Sequence, residues 1–162
     1  MKSSEAHTLH PAAGATATIV SFAHGLRHAD LDDEVRYYAR RHLLDTVGVM
    51  IAGAPGDVAT HAETMLAAVR GGGTIPVPGR AKHHDLLDAA FLGGTAAHGI
   101  ELDDGYRHGS AHCGCVVIPA ALAVAYDRGA SGRALPETPI TVSVSSPILS
   151  GWPSASPFGQ FL

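Results

Sequence analysis

The chain is poor in charge, aromatics and cysteine, and each shortage narrows what it does. Charged residues make up 16% of its 162 positions, below the usual quarter. The formal net charge is −4 and no Lys/Arg run occurs, so the basic surface that nucleic acid requires is missing. Only Cys113 and Cys115 occur. They stand too close together to staple a fold, which fits a reducing compartment. No stretch approaches the run of about 18 apolar residues that would suggest a membrane span. The opening "MKSSEAHTLHPAAGATATIVSF" carries a single lysine and no continuous apolar core, unlike a secretory leader. These absences predict a soluble, cytoplasmic protein that binds neither nucleic acid nor membrane.

What is abundant is small and apolar: Ala, Gly, Val and Leu suit close-packed helices in one domain. Residues 1–13 are polar and read as a mobile leader, and a short helix is expected from 16 to 26. "HADLDD" offers Asp30 as an N-cap and a negative first turn. The following segment has Leu31, Val35, Tyr38, His42, Asp45 and Val49 at 3/4 spacing, widened by Leu43, Leu44, Val47 and Ile51. That helix should stop near Gly53, ahead of Pro55. A second helix is expected over 57–70, ended by Gly71, Gly72 and Gly73, with "TIPVPG" as a short extended piece. The triple glycine is a helix stop and turn, since no Gly-Lys-Ser/Thr follows it.

"DLLDAAFLGGTAAHG" predicts a helix from Asp85 to Gly99. Gly93 and Gly94 in its middle each cost about 1 kcal/mol relative to Ala, which suggests that another backbone passes close by. "CVVIPAALAVAYD", from Cys115 to Asp127, reads as a buried helix with Pro119 in its first turn. After Leu135 the texture changes: 27 residues hold five Pro, six Ser and the single charge Glu137. All eleven histidines lie at or before His112. The expected division is a leader over 1–13, a helical domain over 14–134 and a tail over 135–162 that is disordered or non-native, as a frameshift would produce.

Between the last two helices lies "HGIELDDGYRHGSAHCGC", His98 to Cys115. One reading is a metal site on His108, His112, Cys113 and Cys115. Four ligands within so short a loop would crowd one ion, however, and the cysteines fit equally as small groups opening an apolar helix. An acid–base reading needs only a histidine titrating near neutrality with carboxylates to orient it or act as the complementary acid. Glu101, Asp103 and Asp104, facing His108 and His112 across a turn, provide that. The alternative is that Asp103 and Asp104 tie the loop while the histidines are solvated, and spacing alone leaves the two open.

"RRHLLDTVGVMIAGA", "AAFLGGTAAHGIELDDGYRHGSAHCG" and "VVIPAALAVAY", in that order, resemble the MmgE/PrpD family over residues 15–134. That family includes 2-methylcitrate dehydratase, cis-aconitate decarboxylase and an iminodisuccinate epimerase. The resemblance implies an all-α fold, the N-terminal part of a helical domain that a separate α/β lid would cover. It further implies a homodimer acting on small polycarboxylates, with no metal or other cofactor. It maps His112, Glu101 and Asp104 onto catalytic positions, His112 as acid–base, and assigns substrate contacts to Asp103, Arg107 and His108. Three departures stand out: Cys113 replaces a usual proline, Gly93 a frequent asparagine, and Gly105 an occasional hydroxyl residue. Members are much longer, so this chain is expected to be a truncated form supplying one wall of the site and inactive alone. The readings beside a hydro-lyase are an inert fragment and a small zinc-binding module.

Overall fold

The computed structural model describes residues 31–106 and 110–130 and, upstream, only Gly14, Ala17, Val20, Ser21 and Gly25. The leader, Asp30, most of the helix expected over 16–26, and the Ser/Pro-rich segment lie outside the described residues. Four helices and one two-residue hairpin ladder make up the described fold: α1 (Asp33–Gly53), α2 (Asp57–Val69), β1 (Ile75–Pro76), β2 (His83–His84), α3 (Leu86–His98) and α4 (Gly114–Asp127). The all-helical expectation holds, with the small ladder as an addition. None of these helices is long and apolar enough to cross a membrane.

Asp32, not Asp30, caps α1: its carboxylate accepts from the Val35 N–H at 2.7 Å, with Asp33 and Glu34 behind it in the first turn. Leu31 is buried just ahead of the cap, and the Arg36 guanidinium reaches back to its carbonyl, which fixes where the helix starts. The face that α1 buries is Thr46, Val49, Met50 and Gly53, one stripe at 3/4 spacing. Of the face expected from Leu31, Val35, Tyr38, His42, Asp45 and Val49, only Leu31 and Val49 are buried; Asp45 is exposed, as are Leu44 and Ile51, expected to widen it.

Helix α3 is central and touches each of the other three helices. It opens with Asp85 accepting from the Asp88 N–H at 2.9 Å, and buries Ala89, Leu92, Gly93, Ala96 and Ala97. Gly94 shows why small residues are needed there. A Cβ at that position would stand 2.8 Å from the Cys115 carbonyl oxygen of α4. That carbonyl is free to approach because Pro119, four residues on, has no N–H to give it. Pro119 is thus the sixth residue of α4, interior to the helix rather than in its first turn. The expected close backbone approach is real, and proline and glycine form its two sides.

Helix α4 is buried along Cys115, Ile118, Pro119, Ala121 and Ala123, whereas Val116, Val124 and Tyr126 are exposed. The sequence reads as apolar all round, but among the described residues only one side is covered. At the other end of the bundle, β1 pairs antiparallel with β2 through Ile75–His84 and Pro76–His83. The hairpin is fastened to α2 by the largely buried Glu63, which receives the Arg80 guanidinium and lies 3.1 Å from His84 Nε2.

Candidate functional site

The chain leaves α3 through a left-handed residue. Glu101 has φ of 54°, a conformation that costs a non-glycine residue about 1–2 kcal/mol. A glycine would relieve that strain, so a carboxylate here is held at some expense. The bend turns the next residues back across the end of α3. Tyr106 and Ala111 then exchange backbone hydrogen bonds of 2.7 and 3.3 Å and close a small loop, delivering His112 beside the end of α3.

Asp103 lies at the centre. Its side chain is 0% exposed, yet two half-exposed imidazoles turn to it. His98 Nδ1 donates to Oδ2 at 3.0 Å, and His112 Nδ1 stands 3.3 Å from the same oxygen. The two rings meet edge to face, 5.0 Å between centroids. On its far side His98 Nε2 lies 3.7 Å from Glu101 Oε1. From α4 the Cys115 thiol donates to the His112 carbonyl at 3.3 Å and lies close enough to Asp103 for the two groups to act on each other. The ligating atoms of His98, Asp103 and Cys115 all fall within 4.8 Å of one another.

The charges follow from this packing. Burial acts to raise the Asp103 carboxyl, but hydrogen bonds from Cys115 and His98 outweigh it and hold the group below the ordinary carboxylate value. His98 is raised, first by its hydrogen bond to Asp103 and then by that carboxylate's charge. Burial pushes the Cys115 thiol up to about 12, with Asp103 adding to it, so it is neutral at physiological pH. What results is an anion sealed inside and shared by two imidazoles. His112 keeps its Nε2 edge, the one not facing the carboxylate, for other chemistry.

Asp104 points elsewhere. Its Oδ1 accepts the Gly114 N–H at 2.8 Å and so caps α4. Residue 114 must be glycine, because a Cβ would collide with that carboxylate and stand 2.8 Å from Thr46 Oγ1. The Thr46 hydroxyl is buried and has no hydrogen-bond partner among the described residues. Asp104 and Gly105 also border an open cleft of about 460 Å³ shared with Tyr38, Arg41, His42 and Asp45 of α1. The two aspartates of the pair thus serve opposite sides of the loop.

Of the site residues expected from sequence, Glu101, Asp103 and His112 come together, and Asp104 stands beside them as a cap. Arg107 and His108 lie outside the described residues. The alternative zinc arrangement on His108, His112, Cys113 and Cys115 includes His108, which lies outside the described residues; among the described residues the clustered potential ligands are His98, Asp103 and Cys115. Sequence reading missed His98. Its place as the last residue of α3, three before Glu101, was the available signal. The cleft residues of α1 carried no signal of their own.

A family model, the MmgE/PrpD N-terminal domain, matches residues 17–140. No curated protein and no solved structure matches the chain significantly.

Proposed function

The chain belongs to the MmgE/PrpD family, and from that premise we propose that it carries the acid–base wall of a lyase resembling 2-methylcitrate dehydratase. The reaction is elimination of water from a small polycarboxylate. One observation supports this above the rest: a buried carboxylate, Asp103, holds the Nδ1 edges of His98 and His112 and leaves His112 40% exposed. A histidine whose ring is fixed through one nitrogen presents the other to substrate in a defined tautomer.

In this reading His112 Nε2 takes the proton from the carbon next to a substrate carboxylate. Glu101, 75% exposed and in a strained conformation at the rim, protonates the departing hydroxide. Asp103 positions the imidazoles from within rather than touching substrate. The cation of His98, together with Arg107 and His108, draws the anionic substrate. The remaining wall, and the groups that grip the other substrate carboxylates, come from the lid domain and a second subunit of a cytoplasmic homodimer.

The side of α4 that the described residues leave open, with the exposed Leu44, Val69 and Leu87, favours a second reading, in which the chain alone is an inert, truncated piece awaiting a partner. Metal-free protein in deuterium oxide with 2-methylcitrate, followed by NMR, separates the two. Proton exchange beside the carboxylate needs only the base, so it should occur and vanish in His112→Gln. Exchange that survives His112→Gln would remove the histidine from the role. No exchange at all would favour the inert reading.

A further inference from the structure

We infer that the Asp103 cluster is also a site for one soft divalent cation of the zinc type, held by His98 Nδ1, Asp103 and Cys115 Sγ, with His112 Nδ1, 3.3 Å from Asp103, turning in as the fourth ligand. This goes beyond the lyase reading and does not rest on it. The donor set is the first reason: two imidazoles, a thiol and a carboxylate are the groups zinc selects. The second is spacing. Ligands at about 2.0–2.3 Å from a tetrahedral zinc stand roughly 3.3–3.8 Å apart. His98 Nδ1 and His112 Nδ1 already lie 3.0 and 3.3 Å from Asp103 Oδ2. The three ligating atoms of His98, Asp103 and Cys115 fall within 4.8 Å. The rings that must adjust are half-exposed and have room to turn, while Asp103 and Cys115 are anchored.

Charge is the third reason. The Asp103 carboxylate and a Cys115 thiolate together balance a dication. The outer shell is the fourth. A metal-bound imidazole is commonly oriented by a carboxylate on its other nitrogen, and Glu101 Oε1 lies 3.7 Å from His98 Nε2. On binding, the cation replaces the protons that now join Asp103 to its neighbours. The thiol proton leaves to solvent, as does the Nδ1 proton of any doubly protonated imidazole, and an imidazole whose single proton is on Nδ1 moves it to Nε2, so that each ring ligates through a bare Nδ1. A bound cation therefore takes the cluster out of acid–base use, which makes the site inhibitory.

The test is a titration of the full chain, freed of metal by a chelator, with Zn²⁺ and separately with Co²⁺. One equivalent of Zn²⁺ should bind. Co²⁺ should give the intense visible bands of tetrahedral coordination and a near-ultraviolet thiolate band. Cys115→Ser should remove that band, His98→Gln should weaken Zn²⁺ by roughly tenfold or more, and Cys113→Ser should change neither. Circular dichroism of each variant distinguishes ligand loss from unfolding. A wild-type Co²⁺ spectrum without the thiolate band, or a band lost in Cys113→Ser and kept in Cys115→Ser, would overturn the inference. Zinc binding by a chain that shows no solvent exchange would leave it standing and count only against the lyase reading.

Discussion

Two carboxylates in this molecule are each drawn in beside histidine, and they are used in opposite ways. Glu63, on α2, faces Arg80 and His84, and all three side chains are no more than 12% exposed. The Arg80 hydrogen bond holds Glu63 below the ordinary carboxylate value against the effect of burial. Every strong group there is committed, and the result is a clasp between helix and hairpin. Asp103 is buried more completely, yet its two imidazoles are 47% and 40% exposed. A saturated, closed ion pair fastens structure, whereas a sealed anion with open-faced partners stores an orientation that solvent-side chemistry can use. Identical residue types serve both ends, so exposure of the partners, not the presence of a pair, marks the candidate site.

The largest expected effect comes from breaking the clasp. Glu63→Ala leaves Arg80 buried without its anion and should cost about 3–5 kcal/mol, read from the urea midpoint at unchanged m-value. If it costs no more than a surface substitution, the clasp is not structural. Asp103→Asn should cost less stability, about 1–3 kcal/mol, because its partners are half-open to water. It should nevertheless lower His112-dependent deuterium exchange by roughly 10²–10⁴-fold. Equal loss of stability and no change in exchange would make Asp103 a second clasp.

The pH dependence sharpens the same contrast. His98 is raised in the folded state, so its contribution is complete below the ordinary imidazole value of about 6.5 and fades as pH rises through the folded value. Asp103 is lowered, so its contribution is complete above about 4 and fades as pH falls through its own folded value. Between those limits the pair stabilises most. Wild type minus His98→Gln should therefore shrink with rising pH above neutrality, and by a modest amount because His98 is so exposed. A difference flat across that range would contradict the pairing. The smallest effect belongs to Glu101→Gly, which relieves a positive φ and should leave stability equal or higher by up to about 1 kcal/mol. A clear loss of stability would show that Glu101 is held there for structure.

Much of the fold was legible because its signals are local. The 3/4 spacing in α1, the Asp85 cap, the glycine stop after α2 and the Gly93–Gly94 pair each act within one or two turns. Errors arose where several local choices competed. Asp30 and Asp32 are both acceptable caps in "HADLDD", and burial of Leu31 decides for Asp32. Leu44 and Ile51 looked like core until the direction of α3 selected a narrower stripe. The cluster was half legible: Glu101, Asp103 and His112 share one loop, but His98 reaches them only because the backbone reverses at Glu101. Separations of five and fourteen residues are bridged by a loop, so neither reflects a helical or strand face. Nor does sequence spacing show that one aspartate of an adjacent pair turns inward to histidines while the next caps a helix.

The most direct test of the account is an NMR titration of the His98 imidazole in wild type and in Asp103→Asn. The account predicts that His98 titrates above the ordinary value of about 6.5 in wild type and returns to it in Asp103→Asn, with the helices intact in both. A His98 that titrates at the ordinary value in wild type, or that is indifferent to Asp103→Asn, would contradict it.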